Sequence, residues 1–177
     1  CLQKYGSIKL VGKSFGVLTL RVNEYDFDFA LPRTEKKIGN SHQDFEVITN
    51  AKLSFKEAAI RRDFTINSIG YDFSKKEFLD PFAGINDLKN KIIKHIDDNT
   101  FIEDSLRVYR AVQFASRFNF KIDENTKELC KQIVLNDELK YLPKERIYEE
   151  FKKLFLKSSK PSIGFELLRE LGVLKYF

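Results

Sequence analysis

The residues best equipped for chemistry stand together in Arg61-Arg62-Asp63-Phe64-Thr65-Ile66-Asn67. Guanidinium groups, a carboxylate and an amide share this stretch with Phe64 and Ile66, whose size favours burial. A solvated charged face does not interleave its charges with large hydrophobes, whereas a wall that holds a polyanion does. Further along, Glu103-Asp104-Ser105-Leu106-Arg107-Val108-Tyr109-Arg110 places acid and arginine at three-residue spacing inside an apolar run. On one continuous helix Asp104, Arg107 and Arg110 each advance by about 60°, giving a slanted charged stripe. Val108, Val112 and Ala115 lie beside that stripe, with Phe114 and Phe118 within it. A helix that is apolar around most of its circumference is buried, so its charges must face a partner or a ligand. Either Asp104 and Arg107 form an i, i+3 ion pair, or the row meets an anion. The second arginine, Arg110, adds positive charge beyond that pair and tilts the balance toward an anionic ligand. Arg61 is expected at a solvated helix end.

A further acidic pair stands in Tyr25-Asp26-Phe27-Asp28-Phe29. On a strand Asp26 and Asp28 share one face. That geometry suits holding a Mg²⁺ ion or steering a nucleophile, and equally suits two solvated acids on a half-exposed strand.

The elements that must position these groups are readable from pattern. Residues 8–31 alternate and are rich in β-formers, predicting two or three antiparallel strands with turns at Gly16 and Asn23-Glu24. Arg33 to Asp44 is polar around Gly39-Asn40-Ser41 and reads as a mobile loop. Ser54 with Glu57 is a capping-box pattern, opening a helix that runs into the arginine pair. A short hairpin is expected from Tyr71–Phe73 to Glu77–Leu79 across Ser74-Lys75-Lys76, then a glycine turn before Asp87–Lys91, then a strand at Ile92–Ile96. Thr100 and Glu103 form a second capping-box pattern, predicting one helix from Thr100 to Phe118. Residues 124–135 read as another helix. Pro143 suits a helix start, with Ile147, Phe151, Leu154 and Phe155 on one face. Pro161 opens a last helix with Ile163, Leu167, Leu168 and Leu171 inward and Gly172 as its stop. The character changes near residue 98, which divides the chain into a mixed part, 1–98, and an all-helical part, 99–177.

With 177 residues and 42% apolar content the chain can bury a core. Its net charge of +5 is spread evenly, 16 basic against 14 acidic groups in residues 1–98 and 15 against 12 in residues 99–177. Such mild basicity permits a nucleic-acid partner without demanding one. Cys1 and Cys130 are far apart and neither belongs to a CxxC motif, which argues against a disulfide framework or zinc site and fits a reducing, cytoplasmic setting. No apolar run reaches membrane-span length and no signal peptide opens the chain, so no membrane partner is expected. The chain opens at Cys1 and contains no methionine, as expected of a fragment. His42 and His95 are isolated and receive no role.

Taken in order, the arginine-pair segment, Asp80-Pro81-Phe82-Ala83-Gly84-Ile85-Asn86-Asp87-Leu88 and the Glu103–Arg110 segment resemble the bacterial tRNA nucleotidyltransferase and poly(A) polymerase family, class II CCA-adding type. The resemblance runs from about Phe15 to Phe177, and Glu145-Arg146-Ile147 through Phe151 is similar to the helix that closes the family's neck. It implies an α+β fold: part of a nucleotidyltransferase palm, a mixed or antiparallel sheet with helices, followed by an all-helical neck that recognises the base and binds RNA. It implies addition of CMP and AMP from CTP and ATP to the 3′ end of tRNA or another RNA, with Mg²⁺ as cofactor. Alternatives are a poly(A) polymerase using ATP alone, or an inert RNA-binding module. In the family the matching helix reads the incoming base, which assigns base recognition to Asp104 and Arg107. Cytosine and adenine both present an amine donor beside a ring-nitrogen acceptor, which a carboxylate and a guanidinium complement. Arg62 matches the arginine on the triphosphate, with Asp63 and Asn67 near ribose and phosphates. Arg110 corresponds to a further arginine of the nucleotide site. Gln113 stands where the family usually has another arginine, and its neutral amide would hold phosphate more weakly. The segment Tyr25 to Lys36 is similar to the family's strand, arginine and flexible loop, with Asp28 in the acidic position and so a catalytic candidate. The family's metal-binding Asp-x-Asp pair and its Gly-Gly-x-x-Arg-Asp segment do not occur, and are expected upstream of Cys1. Ala58 and Lys94 also depart from the family, which has an acid and an arginine there. The oligomeric state is not implied.

Overall fold

A computed structural model describes residues 2–11, 17–37 and 45–177. The turn expected at Gly16, the loop centre Gly39-Asn40-Ser41, and Cys1, Phe15 and His42 lie outside the described residues. The chain separates into two compact units, Cys1–Ala58 and Ala59–Phe177. The change of character near residue 98 is one of element type, and the compact units divide at a different place.

In the first unit β1 (Ser7–Val11), β2 (Val17–Val22) and β3 (Tyr25–Ala30) form an antiparallel sheet in that order. Its register sets Leu10 opposite Leu18 and Leu18 opposite Phe29, and Ile8 opposite Leu20 and Leu20 opposite Phe27. Because side chains alternate, one face is wholly apolar and the other carries Thr19, Arg21, Asp26 and Asp28. The tight turn between β2 and β3 places Asn23 at φ 54°, a left-handed conformation that asparagine tolerates. The expected loop after residue 33 is corrected in part: β4 (Arg33–Lys37) pairs antiparallel with β5 (Phe45–Thr49). Helix α1 (Phe55–Ala59) follows, and its capping box is formed. The Ser54 amide donates to Glu57 Oε2 at 2.8 Å and the Glu57 amide to Ser54 Oγ at 3.2 Å. The helix ends before the arginine pair instead of running into it.

In the second unit, β6 (Gly70–Asp72) and β7 (Glu77–Leu79) form the expected hairpin, its turn fixed by the Asp72 carboxylate on the Ser74 and Lys75 amides. Helix α2 (Gly84–Asn90) is capped from Asp80, whose carboxylate accepts from the Gly84 and Ile85 amides at 2.7 and 2.9 Å. Strand β8 (Ile92–Ile93) lies parallel to β9 (Lys121–Ile122). Two helices, α3 (Asp98–Glu103) and α4 (Leu106–Phe118), replace the single helix expected over residues 100–118. The cap of α3 is Asp97, whose side chain accepts from the Thr100 amide at 2.9 Å, so Thr100 lies inside the first turn. The break comes at Asp104, in an extended conformation at φ −121°, ψ 95°, whose Oδ1 accepts from the Leu106 amide at 3.2 Å. An Asp side chain that takes a nearby amide competes with the helix for it.

Helices α5 (Glu124–Leu135), α6 (Lys144–Lys157) and α7 (Pro161–Glu170) match the patterns that predicted them, and Gly172 ends the last turn at φ 74°. The core joins Phe64, Ile93 and Phe101 to Val108, Val112 and Ala115 of α4, and to Ile133, Leu154 and Leu168 of the three later helices. Phe64 is fully buried, packed edge-on to Phe101 and Phe114 with ring centroids 6.0 and 5.8 Å away.

Candidate nucleotide site

The arginine-pair segment is held by neighbours on both sides. Its Thr65 amide donates to the Lys94 carbonyl at 2.9 Å, and Phe64 bridges to His95. On the other side Thr65 Oγ1 donates to Asp87 Oδ2 at 2.7 Å, inside the core. Gly84 permits that approach: a Cβ there would fall 2.1 Å from the Thr65 carbonyl oxygen. The Asp80–Leu88 segment therefore acts as a buttress, Asp80 capping α2, Gly84 admitting the backbone and Asp87 gripping the threonine.

Within the segment Asp63 is only 8% exposed. Its Oδ1 accepts from the Phe64 amide and from Asn67 Nδ2, each at 2.9 Å. Its Oδ2 takes both Nε and Nη2 of Arg110, at 2.7 and 2.6 Å. Asp63, Asn67 and Arg110 thus form one cluster joining the segment to α4. Arg62 is exposed, and its Nη1 donates to the Asn67 carbonyl at 2.5 Å. Arg61 is half-buried, unlike a solvated helix end, and its carbonyl accepts from Arg107 Nη2 at 2.7 Å.

Arg107 also donates through Nη1 to the Thr100 carbonyl, so two backbone oxygens from different segments hold its guanidinium. Burial pulls its pKa below the usual value, against the upward pull of Asp104, Asp63 and Glu103. Asp104, at the helix break, pairs through Oδ2 with Arg146 Nη2 on α6 at 3.0 Å. The expected stripe on one helix is therefore corrected: Asp104 precedes α4 and its charge is met from α6. The expected excess charge at Arg110 is met likewise, by Asp63 and by Glu150, whose Oε1 lies 3.6 Å from Arg110 Nη1. Gln113 is 2% exposed with Nε2 unpartnered, so it faces the core.

Asp28, in the first unit, is exposed on β3 and accepts from Thr19 Oγ1 at 2.6 Å; Asp26 on the same face lies 3.4 Å from Arg21 Nε. Among the described residues no group of three or more His, Cys, Asp or Glu side chains could hold a metal ion.

Three residues without an assigned role prove central. Arg146 and Glu150 lie one turn apart on α6, and Glu150 is 4% exposed, with Oε1 also bound by Lys153 at 2.7 Å. The signal for both was charge inside the apolar run Ile147, Phe151, Leu154. His95 is buried, its Nδ1 2.7 Å from Thr126 Oγ1 and its Nε2 2.6 Å from Asp98 Oδ1. The His95 amide donates to that same Thr126 oxygen at 3.1 Å. No pattern of spacing announced it.

A partly buried acceptor, Asp104, and a partly buried donor, Arg107, thus stand together at the start of a core helix, with further arginines beside them. The chain belongs to the poly(A) polymerase head-domain family, whose model matches residues 2–94. A second model, described as the probable RNA and SrmB-binding site of polymerase A, matches residues 119–177. A curated relative from Pseudoalteromonas atlantica, named Multifunctional CCA protein, is 39% identical over 168 residues, covering 93% of this chain and 40% of its own length. Among solved structures, a tRNA-processing enzyme with CTP is 33% identical with a TM-score of 0.74, covering 91% of this chain and 40% of that one. A tRNA nucleotidyltransferase complexed with a primer tRNA and an incoming ATP analogue is 31% identical with a TM-score of 0.77, covering 98% of this chain and 47% of that one. The chain thus spans less than half the length of these relatives, and has the α+β head-and-neck fold they share.

Proposed function

We propose that the full-length protein containing this chain is a template-independent RNA nucleotidyltransferase that adds CMP and AMP from CTP and ATP to the 3′ end of tRNA. The observation that carries this reading is the pair at the start of α4: Asp104 with acceptor capacity left, Arg107 with donors left and its guanidinium held by two carbonyls. Such a pair complements the edge that cytosine and adenine share, and leaves both groups mismatched against uracil and guanine. Arg62, exposed beside them, binds the triphosphate that CTP and ATP have in common. Asp63, Asn67 and Arg110 frame the ribose and phosphates, with Gln113 packed behind them. Residues 1–98 serve as part of the palm and 99–177 as the neck, a division supported by the boundaries of the two family models.

Nucleotidyltransferases of this family generally use a divalent metal, and Mg²⁺ is the ion proposed here. The described residues do not by themselves fit a metal site. Asp28 is the proposed third acid of the active site. Among the described residues no helix is long and apolar enough to cross a membrane, and Cys130 is a buried free thiol; a cytoplasmic setting is part of the proposal.

The test is incubation of the full-length protein with tRNA lacking its 3′ terminus, with CTP and ATP supplied separately and together. Ordered addition of CMP and then AMP supports the reading. Repeated AMP addition from ATP alone would replace it with a poly(A) polymerase, and RNA binding without extension would leave an inert module.

A further inference from the structure

We propose that Arg146, on α6, is a positioning residue for base selection, fixing the Asp104 carboxylate in the orientation in which it meets the base. The inference rests on the reading of Asp104 as the base acceptor. Asp104 sits at a break between helices, where no continuous helical turn restrains its side chain, and the terminal torsion of an aspartate is intrinsically broad. Two anchors replace that restraint. The Leu106 amide holds Oδ1 at 3.2 Å and Arg146 Nη2 holds Oδ2 at 3.0 Å, so both oxygens are placed and the carboxylate plane is set. Each oxygen keeps a second lone pair for an incoming amine.

Arg146 is suited to this by its own setting. It lies one turn before Glu150, which reaches Arg110 from the same helix, so α6 restrains both ends of the Asp104 to Arg110 row. The Asp104 and Arg146 side chains are 28% and 40% exposed, enough for a ligand to reach the carboxylate and too much for the pair to act chiefly as a core bridge. Without Arg146 the carboxylate would rotate about its remaining anchor, and an acceptor free to turn aside no longer repels the O4 acceptor of uracil.

The experiment compares kcat/KM for CTP and UTP in the full-length protein on tRNA lacking its 3′ terminus, with melting temperatures alongside. The variants are Arg146→Ala, Arg146→Lys, Asp104→Ala and the double variant Arg146→Ala with Asp104→Ala. Arg146→Ala is expected to lower the CTP-to-UTP ratio about three- to tenfold, as loss of one half-exposed charge-assisted bond would. Arg146→Lys, which keeps a cationic donor, recovers most of the ratio, and the double variant falls no further than Asp104→Ala. If Asp104→Ala loses discrimination while Arg146→Ala keeps it, Arg146 is merely structural and the proposal is overturned, with the base reading intact. If neither variant shifts the ratio, the Asp104 reading fails and the proposal with it. Should Arg146→Ala not fold, Arg146→Met, which keeps the stem and removes the donors, is judged by the same outcomes.

Discussion

Arg62 commits one N–H to the Asn67 carbonyl and is otherwise exposed, so most of its donors remain for a ligand. Arg62→Ala in the full-length protein is expected to weaken CTP and ATP alike, by about 1.5–3 kcal/mol, because both share the triphosphate it would bind. Equal nucleotide affinity in mutant and parent, by calorimetric titration, would return Arg62 to a solvated surface residue. Asp104 allows a sharper test, because its two oxygens have separate structural tasks. Asp104→Asn can keep an acceptor on the Leu106 amide; its amine then replaces the oxygen that Arg146 holds, which releases that anchor and presents to the base a donor suited to the O4 of uracil. The variant is expected to raise UTP use relative to CTP, read as the ratio of incorporation rates; an unchanged ratio would count against base contact even if activity fell. These residues were legible from their types and order. Their pairings were not, because a carboxylate that caps a helix break and one that lies along a helix have the same spacing in sequence. Only the fold brings Arg146, forty-two positions away, to Asp104.

At the scale of elements, helix α2 and the arginine-pair segment stand or fall together. A Cβ at Gly84 would sit 2.1 Å from the Thr65 carbonyl oxygen and 3.0 Å from Ile69 Cγ1, and neither the backbone nor the packed chain can yield cheaply. Gly84→Ala is expected to cost about 1–3 kcal/mol through overpacking and to lower nucleotide affinity by displacing Asp63 and Asn67. Asp80→Ala, which only uncaps α2, should cost about 0.5–2 kcal/mol. Melting temperature and CTP affinity measured on both variants check this; a Gly84→Ala protein as stable as its parent would refute the buttress. The capping box of α1 has its own signature. Hydrogen bonds from Ser54 hold the Glu57 carboxyl below its usual pKa. A carboxyl depressed by folding stabilises above its unfolded pKa and loses that contribution as pH falls through the folded one. The Glu57 side-chain resonance should therefore titrate below the ordinary glutamate range, and a normal midpoint would mean the box is open in solution. Capping boxes, Pro starts and Gly stops were legible because each satisfies a local backbone need. Strand β4 was not: Arg33–Lys37 is polar throughout, and its only apolar signal lies in its partner Phe45–Thr49.

At the scale of the whole molecule, the question is how much of the chemistry these residues hold by themselves. The order of segments pointed to a palm followed by a neck, and the α+β elements bear that out; the division of compact units at Ala58 depends on packing that no local pattern records. The proposed base-reading pair, the arginine segment and its buttress all lie in the second unit, held by bonds among residues 60–150. Residues 1–177 alone are therefore expected to bind CTP and ATP. Phosphoryl transfer needs charge stabilisation at the reacting phosphate, which clustered metal ligands supply in two-metal sites. The acids of β3 offer only two carboxylates on one face, and Asp26 and Asp28 already meet Arg21 and Thr19. The expectation is that residues 1–177 bind nucleotide, with the affinity lowered by Arg62→Ala, yet add none to a tRNA lacking its 3′ terminus at any Mg²⁺ concentration, while the full-length protein adds both. Equilibrium binding and primer extension on the same preparation check the two halves separately. Extension by residues 1–177 that is abolished by Asp28→Ala would overturn the expectation and make β3 the metal-binding element; binding no tighter than that of an Arg62→Ala variant would instead remove the nucleotide site from this unit.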